Sequence, residues 1–184
     1  MNDLIKRILS SIILLPLVFY FVIAGSPQLL FFIIICFLVA SYEWNKIAKK
    51  TNFKILGLII LIFSFYTFYK VGTGYFWPIV LIICISTDIG GYLFGKLFGG
   101  PKLIKISPNK TYAGMFGGYF LSLIFLLYYL NIVNIEISIG IIIMVILLST
   151  TSQVGDIIIS HFKRLSKLKD TGKIIPGHGG LLDR

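Results

Sequence analysis

A chain of 184 residues that is 57% hydrophobic, only 13% charged and carries a net charge of +10 excludes several classes of protein at once. A soluble domain of this size has too little interior to hide that much apolar surface, so the composition is that of a multi-pass membrane protein. The positive charge does not imply nucleic acid: no basic face with interleaved aromatics lies outside the apolar runs, and cytoplasmic loops of membrane proteins collect Lys and Arg in the same way.

About 20 apolar residues are needed to cross a bilayer as a helix. The runs that qualify are residues 8–25, 28–45, 54–70, 75–97, 112–131 and 137–160. None shows the alternation of a membrane strand, and backbone groups in lipid must be satisfied within the span. The expectation is therefore an all-α fold: a polytopic bundle of about six transmembrane helices forming a single integral membrane domain over residues 1–184. Lys6 and Arg7 ahead of the first run, with Ala24-Gly25-Ser26 behind it, have the layout of a signal peptide. Further spans follow at once, so a first transmembrane helix is the better reading. Pro16 and Pro78 are expected to kink their helices, and Gly25-Ser26-Pro27 to make a tight turn. Cys36 and Cys84 each fall in an apolar run with no second ligand nearby and read as small buried hydrophobes.

Sixteen of the seventeen basic residues lie at the N-terminus, in the second-to-third and fourth-to-fifth connections, and in the C-terminal segment; the alternate connections hold only Lys70. The positive-inside rule then puts both termini in the cytoplasm, with the polar loops that would build an active site on that face. Glu43, at the end of the second span before Trp44, reads as an interfacial side chain snorkelling to water. Glu136 reads as solvated. Asp88 sits within ICISTDIGGYLFG, where a lone carboxylate costs ~2.5–3.5 kcal/mol on insertion scales. It is either a helix–helix hydrogen bond near small residues or a functional group. The connection that follows reads GKLFGGPKLIKISPNKTYAGMFGG. Ser107-Pro108 is expected to start a turn, and Lys110-Thr111 stands at the mouth of the fifth helix, an end suited either to capping or to phosphate.

The C-terminal run VGDIIISHFKRLSKLKDTGKIIPGHGGLLDR gathers three of the seven acids (Asp156, Asp170, Asp183) and six of the basic residues. Carboxylates hold hard cations, Lys and Arg hold phosphate oxygens, and glycines let backbone N–H groups approach a ligand. Together these ask for a metal-bound polyphosphate. Asp156, Ser160 and Lys163, at i, i+4 and i+7, share one helical face. Lys167 and Lys173 read better as a basic segment lying against anionic headgroups.

This run resembles the signature of the phosphatidate cytidylyltransferase (CDP-diacylglycerol synthase) family, S-x-x-K-R-x4-K-D-x-G-x2-I-P-G-H-G-G-x-x-D-R. Ser160, Lys163, Arg164, Lys169, Asp170, Gly172, Ile175, Pro176, Gly177, His178, Gly179, Gly180, Asp183 and Arg184 fill those places. Asp88, Tyr92, Gly95, Lys96, Gly99, Ser107, Pro108, Lys110, Thr111 and Gly114 match a second family block, with Gly91 and Ala113 in place of its usual Ala and Glu. Glu43-Trp44 resembles the family's opening, and Ile159 stands where a Glu is usual.

The resemblance implies transfer of cytidylate from CTP to phosphatidic acid, giving CDP-diacylglycerol and pyrophosphate. It implies Mg²⁺ held by Asp156 and Asp183, with Asp88 a further candidate ligand and room for a second cation. Lys110, Lys163, Arg164 and Arg184 are then phosphate ligands; Ser107, Thr111, Ser160, Gly179 and Gly180 line the nucleotide; Asp170 and His178 complete the catalytic set. CTP, phosphatidic acid and membrane lipid are the implied partners, and a homodimer is compatible with them. Two other readings stay open: a CTP-dependent lipid kinase of polyprenol or dolichol type, and a non-catalytic transporter or scaffold. The family continues past its final Arg with another Asp and a further helix. The expectation is therefore that the chain as written lacks the family's C-terminal helix, inserts and folds, and has little activity.

Overall fold

The computed structural model describes residues 3–49, 51–74, 76–104, 107–177 and 179–183. Among them are six helices: α1 (Asp3–Ala24), α2 (Gln28–Ile47), α3 (Lys54–Gly72), α4 (Trp77–Phe98), α5 (Tyr112–Ile132) and α6 (Ile139–Leu165). A hairpin of β1 (Lys102–Ile104) and β2 (Ser107–Thr111) joins α4 to α5, and a 3-10 turn, Leu181–Asp183, lies at the end. Five of the helices, α2 to α6, are long and apolar enough to cross a membrane; α1 carries the apolar stretch Ile12–Ala24. The buried apolar set is small, whereas residues such as Ile23, Ile55 and Ile139 are three-quarters exposed. That inversion is stable only where lipid is the solvent, so the chain is a multi-pass membrane protein.

The helix limits follow local chemistry. Pro27 precedes α2 after Gly25, whose φ of 70° reverses the chain. Pro78 does not kink α4, contrary to expectation: it occupies the first turn, where its missing N–H has no intrahelical partner to lose. Pro16 does lie inside α1. At 27 residues, α6 is about 40 Å long and outruns the roughly 30 Å hydrocarbon layer. Its predicted end at residue 160 marked the limit of apolarity; helical hydrogen bonding continues through the polar Lys163 and Arg164.

The contacts group into two compact units, Met1–Tyr75 with Phe162–Arg184, and Phe76–His161. In the first, Phe21 stacks on Phe32 at 4.7 Å, and Trp44 donates from Nε1 to Lys54 O at 2.9 Å while packing edge-on against Phe162 at 4.8 Å. In the second, Ile79, Ile83, Leu126, Leu130 and Val145 form the apolar core. Helices α4 and α5 touch backbone to backbone: a Cβ at Gly90 would fall on the Gly117 carbonyl. Thr87 Oγ1 donates to Ser149 Oγ at 2.9 Å, and Tyr119 and Thr150 hydroxyls meet at 2.8 Å, tying α6 to the pair.

The α4–α5 connection, in which Ser107-Pro108 is expected to start a turn, is instead a short antiparallel hairpin, with Lys102 opposite Thr111 and Ile104 opposite Ser107. Pro108 is tolerated because a two-stranded ribbon leaves alternate N–H groups unpaired.

Candidate active site

In the first unit the polar groups converge on the segment after α6. The helix ends with Lys167 at φ 56°, and Leu168 N closes it by donating to Lys163 O at 2.8 Å. Ser166 Oγ donates to Ile47 O, fastening the segment to the end of α2. Beyond it the chain doubles back, and Ile175 and Gly179 face each other as an antiparallel bridge. Ile175 N and Gly179 O pair at 2.8 Å, and Gly179 N and Ile175 O at 3.0 Å. Gly177 and Gly179, at φ 77° and 98°, occupy the left-handed region that side chains resist.

Asp183 is the hub. Its Oδ1 accepts from Lys163 Nζ at 2.6 Å, and its Oδ2 accepts from Thr171 N (2.8 Å), Gly180 N (2.9 Å) and Thr171 Oγ1 (3.0 Å). The two side chains of the ion pair are 15% and 5% exposed. Burial pushes the Asp183 carboxyl upward, but the Lys163 hydrogen bond, the Gly180 and Thr171 amides and the ammonium charge outweigh it. The net effect holds the group below the usual carboxylate range.

Glu43 overturns its sequence reading. It is not snorkelling: it is 1% exposed, and its carboxylate accepts from Leu181 N at 3.0 Å, Leu182 N at 2.9 Å and Thr171 Oγ1 at 2.8 Å. The single Thr171 hydroxyl thus faces both Glu43 Oε2 and Asp183 Oδ2. A Cβ at Gly180 would land on Thr171 Oγ1 and the Glu43 oxygens, so only glycine fits there.

In the second unit Lys110, on β2, pairs with Asp156 Oδ2 on α6, the lysine largely covered and the aspartate 62% exposed. Thr111 is the N-cap of α5, its Oγ1 accepting from Gly114 N at 3.1 Å, which realises the capping reading of that position. Ser107 opens β2, half-buried, and Asp88 lies on an exposed side of α4.

Of the sequence-predicted residues, Lys163, Gly179, Gly180 and Asp183 come together in the first unit, and Lys110 with Asp156 in the second. Ser160 is half-buried on α6, while Arg164 and Asp170 are exposed. His178 and Arg184 lie outside the described residues. Glu43 and Thr171 were missed. The signal for Glu43 was an acid next to Trp on an otherwise apolar helix; Thr171 fills a variable position of the motif and carries none.

Fold and site define a polytopic membrane protein with a built, charge-compensated polar segment following its last described membrane helix. Comparison with known proteins is specific: the Cytidylyltransferase family matches residues 51–184, and the chain belongs to that family. It is 40% identical over 169 residues to the phosphatidate cytidylyltransferase of Staphylococcus aureus strain COL, covering 85% of this chain and 64% of that protein. With the phosphatidate cytidylyltransferase of Staphylococcus haemolyticus it is 37% identical over 172 residues, 87% of this chain and 65% of the relative. The chain thus spans just under two thirds of the length of these relatives. No solved structure matches it.

Proposed function

We propose that the chain forms the greater part of a CTP:phosphatidate cytidylyltransferase, which joins cytidylate to phosphatidic acid. The observation that carries this reading is that the family motif is also a physical unit: Lys163, Asp183, Gly179 and Gly180 are held in one hydrogen-bonded segment. In the reaction an oxygen of the lipid phosphate forms a bond to the α-phosphorus of CTP. The bond from that phosphorus to the β-phosphate bridge breaks, and pyrophosphate leaves with the electron pair. The attacking phosphate is already ionised, so little base catalysis is needed, and the protein's work is positioning and charge neutralisation. Lys110, Lys163, Arg164 and Arg184 are the cations proposed for the phosphates. Arg164 is exposed, whereas Lys110 and Lys163 are each engaged with a carboxylate and must exchange that partner for an anionic oxygen.

Asp156 and Asp183 are each proposed as carboxylate ligands for Mg²⁺. Among the described residues no three His, Cys, Asp or Glu converge. Mg²⁺ takes one or two carboxylates and completes its shell with water and substrate phosphates, so a pair of aspartates is a sufficient protein contribution. When bound, Mg²⁺ would supply neutralising charge at the triphosphate. The basic residues of the α2–α3 and α4–α5 connections and of the C-terminal segment support a cytoplasmic placement of that segment, and the bacterial source of the relatives supports an inner membrane.

The test is incubation of membranes holding the chain, and in parallel a form extended to the length of its relatives, with CTP, phosphatidic acid and Mg²⁺. Lipid extracts are then analysed by mass spectrometry. CDP-diacylglycerol together with pyrophosphate is expected; release of CDP would refute the reading.

A further inference from the structure

Glu43 is costly where it stands: a carboxylate 1% exposed at the end of an apolar helix, where Leu or Met would pack. Its three hydrogen bonds go to one place, the segment 171–182, which lies 128 to 139 residues away in sequence. Thr171 is near the start of that segment and Leu181 and Leu182 are at its end. The carboxylate therefore ties both ends of the stretch that contains the Ile175–Gly179 bridge. The glycine pattern matches the seat: a Cβ at Gly172 would come within 2.5 Å of Glu43 Oε1, and one at Gly180 would meet both Glu43 oxygens. Thr171 Oγ1, 2.8 Å from Glu43 and 3.0 Å from Asp183, links this seat to the Lys163–Asp183 pair. The end of α2 is itself anchored, with Trp44 bonded to Lys54 O and packed on Phe162.

We propose that Glu43 is a positioning residue: its carboxylate is the seat on which the 171–182 segment is built. It acts on the reaction through Thr171 and Asp183, without touching substrate. The effect on turnover rests on the cytidylyltransferase reading; the seat itself does not.

The experiment compares wild type with Glu43→Gln and Thr171→Val. Glu43→Gln keeps the size of the side chain but turns an NH₂ toward N–H donors. Thr171→Val removes the bridging hydroxyl and leaves the Leu181 and Leu182 bonds in place. Hydrogen exchange of peptides from 171–183 is read against α4 and α5 peptides as internal reference, and kcat and KM for CTP are measured alongside. Exchange in 171–183 should accelerate on the order of tenfold in Glu43→Gln and less in Thr171→Val, with α4 and α5 unchanged. The kcat should fall roughly tenfold to a hundredfold while KM for CTP moves little. Unchanged exchange, or exchange accelerated throughout the chain, overturns the seat. Local acceleration with unchanged kcat overturns its role in positioning. All three are made in the form extended to the length of the relatives; a wild type of that form that makes no CDP-lipid refutes the proposed function instead, and the exchange pattern then still decides for or against the seat.

Discussion

Replacing Lys163 by Met removes the ammonium that lies 2.6 Å from Asp183 Oδ1 and keeps most of the aliphatic stem. Both side chains are mostly covered, so the loss is not screened as a surface pair would be. Asp183 keeps the amide donors of Thr171 and Gly180, with the Thr171 hydroxyl shared with Glu43, and so is not fully orphaned. The expected cost is therefore that of one charge-assisted hydrogen bond, about 1.5–3 kcal/mol, below the cost of stripping a buried charge of every partner. In wild type the native Asp183 carboxyl lies below its ordinary range. Its contribution is complete above about pH 4 and disappears as pH falls through the depressed native value. Without the ammonium only the Gly180 and Thr171 amides still oppose burial, so the variant has less to lose when the carboxyl is protonated. The gap between Lys163→Met and wild type should thus hold from pH 7 down to about pH 4 and narrow as pH falls further, through the depressed native value. Trp44 packs on Phe162 in the same unit and reports its unfolding by fluorescence in a Trp77→Phe background during denaturation in mixed micelles. Equal stability of the two proteins across pH 4–7 would refute the Lys163–Asp183 account.

Thr111→Ala should cost about 1 kcal/mol through loss of the α5 cap, with Thr111→Ser near neutral, both read by thermal unfolding in detergent. Gly90→Ala places a Cβ on the Gly117 carbonyl and should cost about 1–3 kcal/mol by forcing α4 from α5; a silent substitution in the same measurement would contradict that packing. Asp156→Asn removes charge with little volume. It should abolish Mg²⁺-dependent turnover while leaving membrane insertion intact; near-normal activity at low Mg²⁺ would remove Asp156 from the metal assignment. Lys110→Ala should raise the CTP concentration needed for half-maximal rate; a shift confined to the lipid would assign Lys110 to the other substrate.

The six helices were legible because a bilayer imposes a length, and apolar runs near 20 residues announce themselves. The cap at Thr111 was legible for a local reason, a hydroxyl at the entrance to an apolar run. The Lys163–Asp183 neighbourhood was legible only as a spaced motif, since its hydrogen bonds span 20 residues. Glu43 was not, because whether a helix-end acid meets water or protein is decided by donors more than 120 residues away. Pro78 misled because its effect depends on which residue begins the helix, and that boundary shifts by one or two positions without a change in composition. The hairpin escaped notice since strands of three and five residues leave no periodicity to read.

The central claim is that the cytidylyl phosphorus of CTP ends in the lipid. Parallel reactions with CTP labelled at the α- or the γ-phosphate, with phosphatidic acid and Mg²⁺, followed by chloroform extraction, test it directly. The account predicts α-label in the lipid phase and γ-label in water-soluble pyrophosphate. Transfer of γ-label into lipid, with α-label left in CDP, would contradict it and make the chain a kinase.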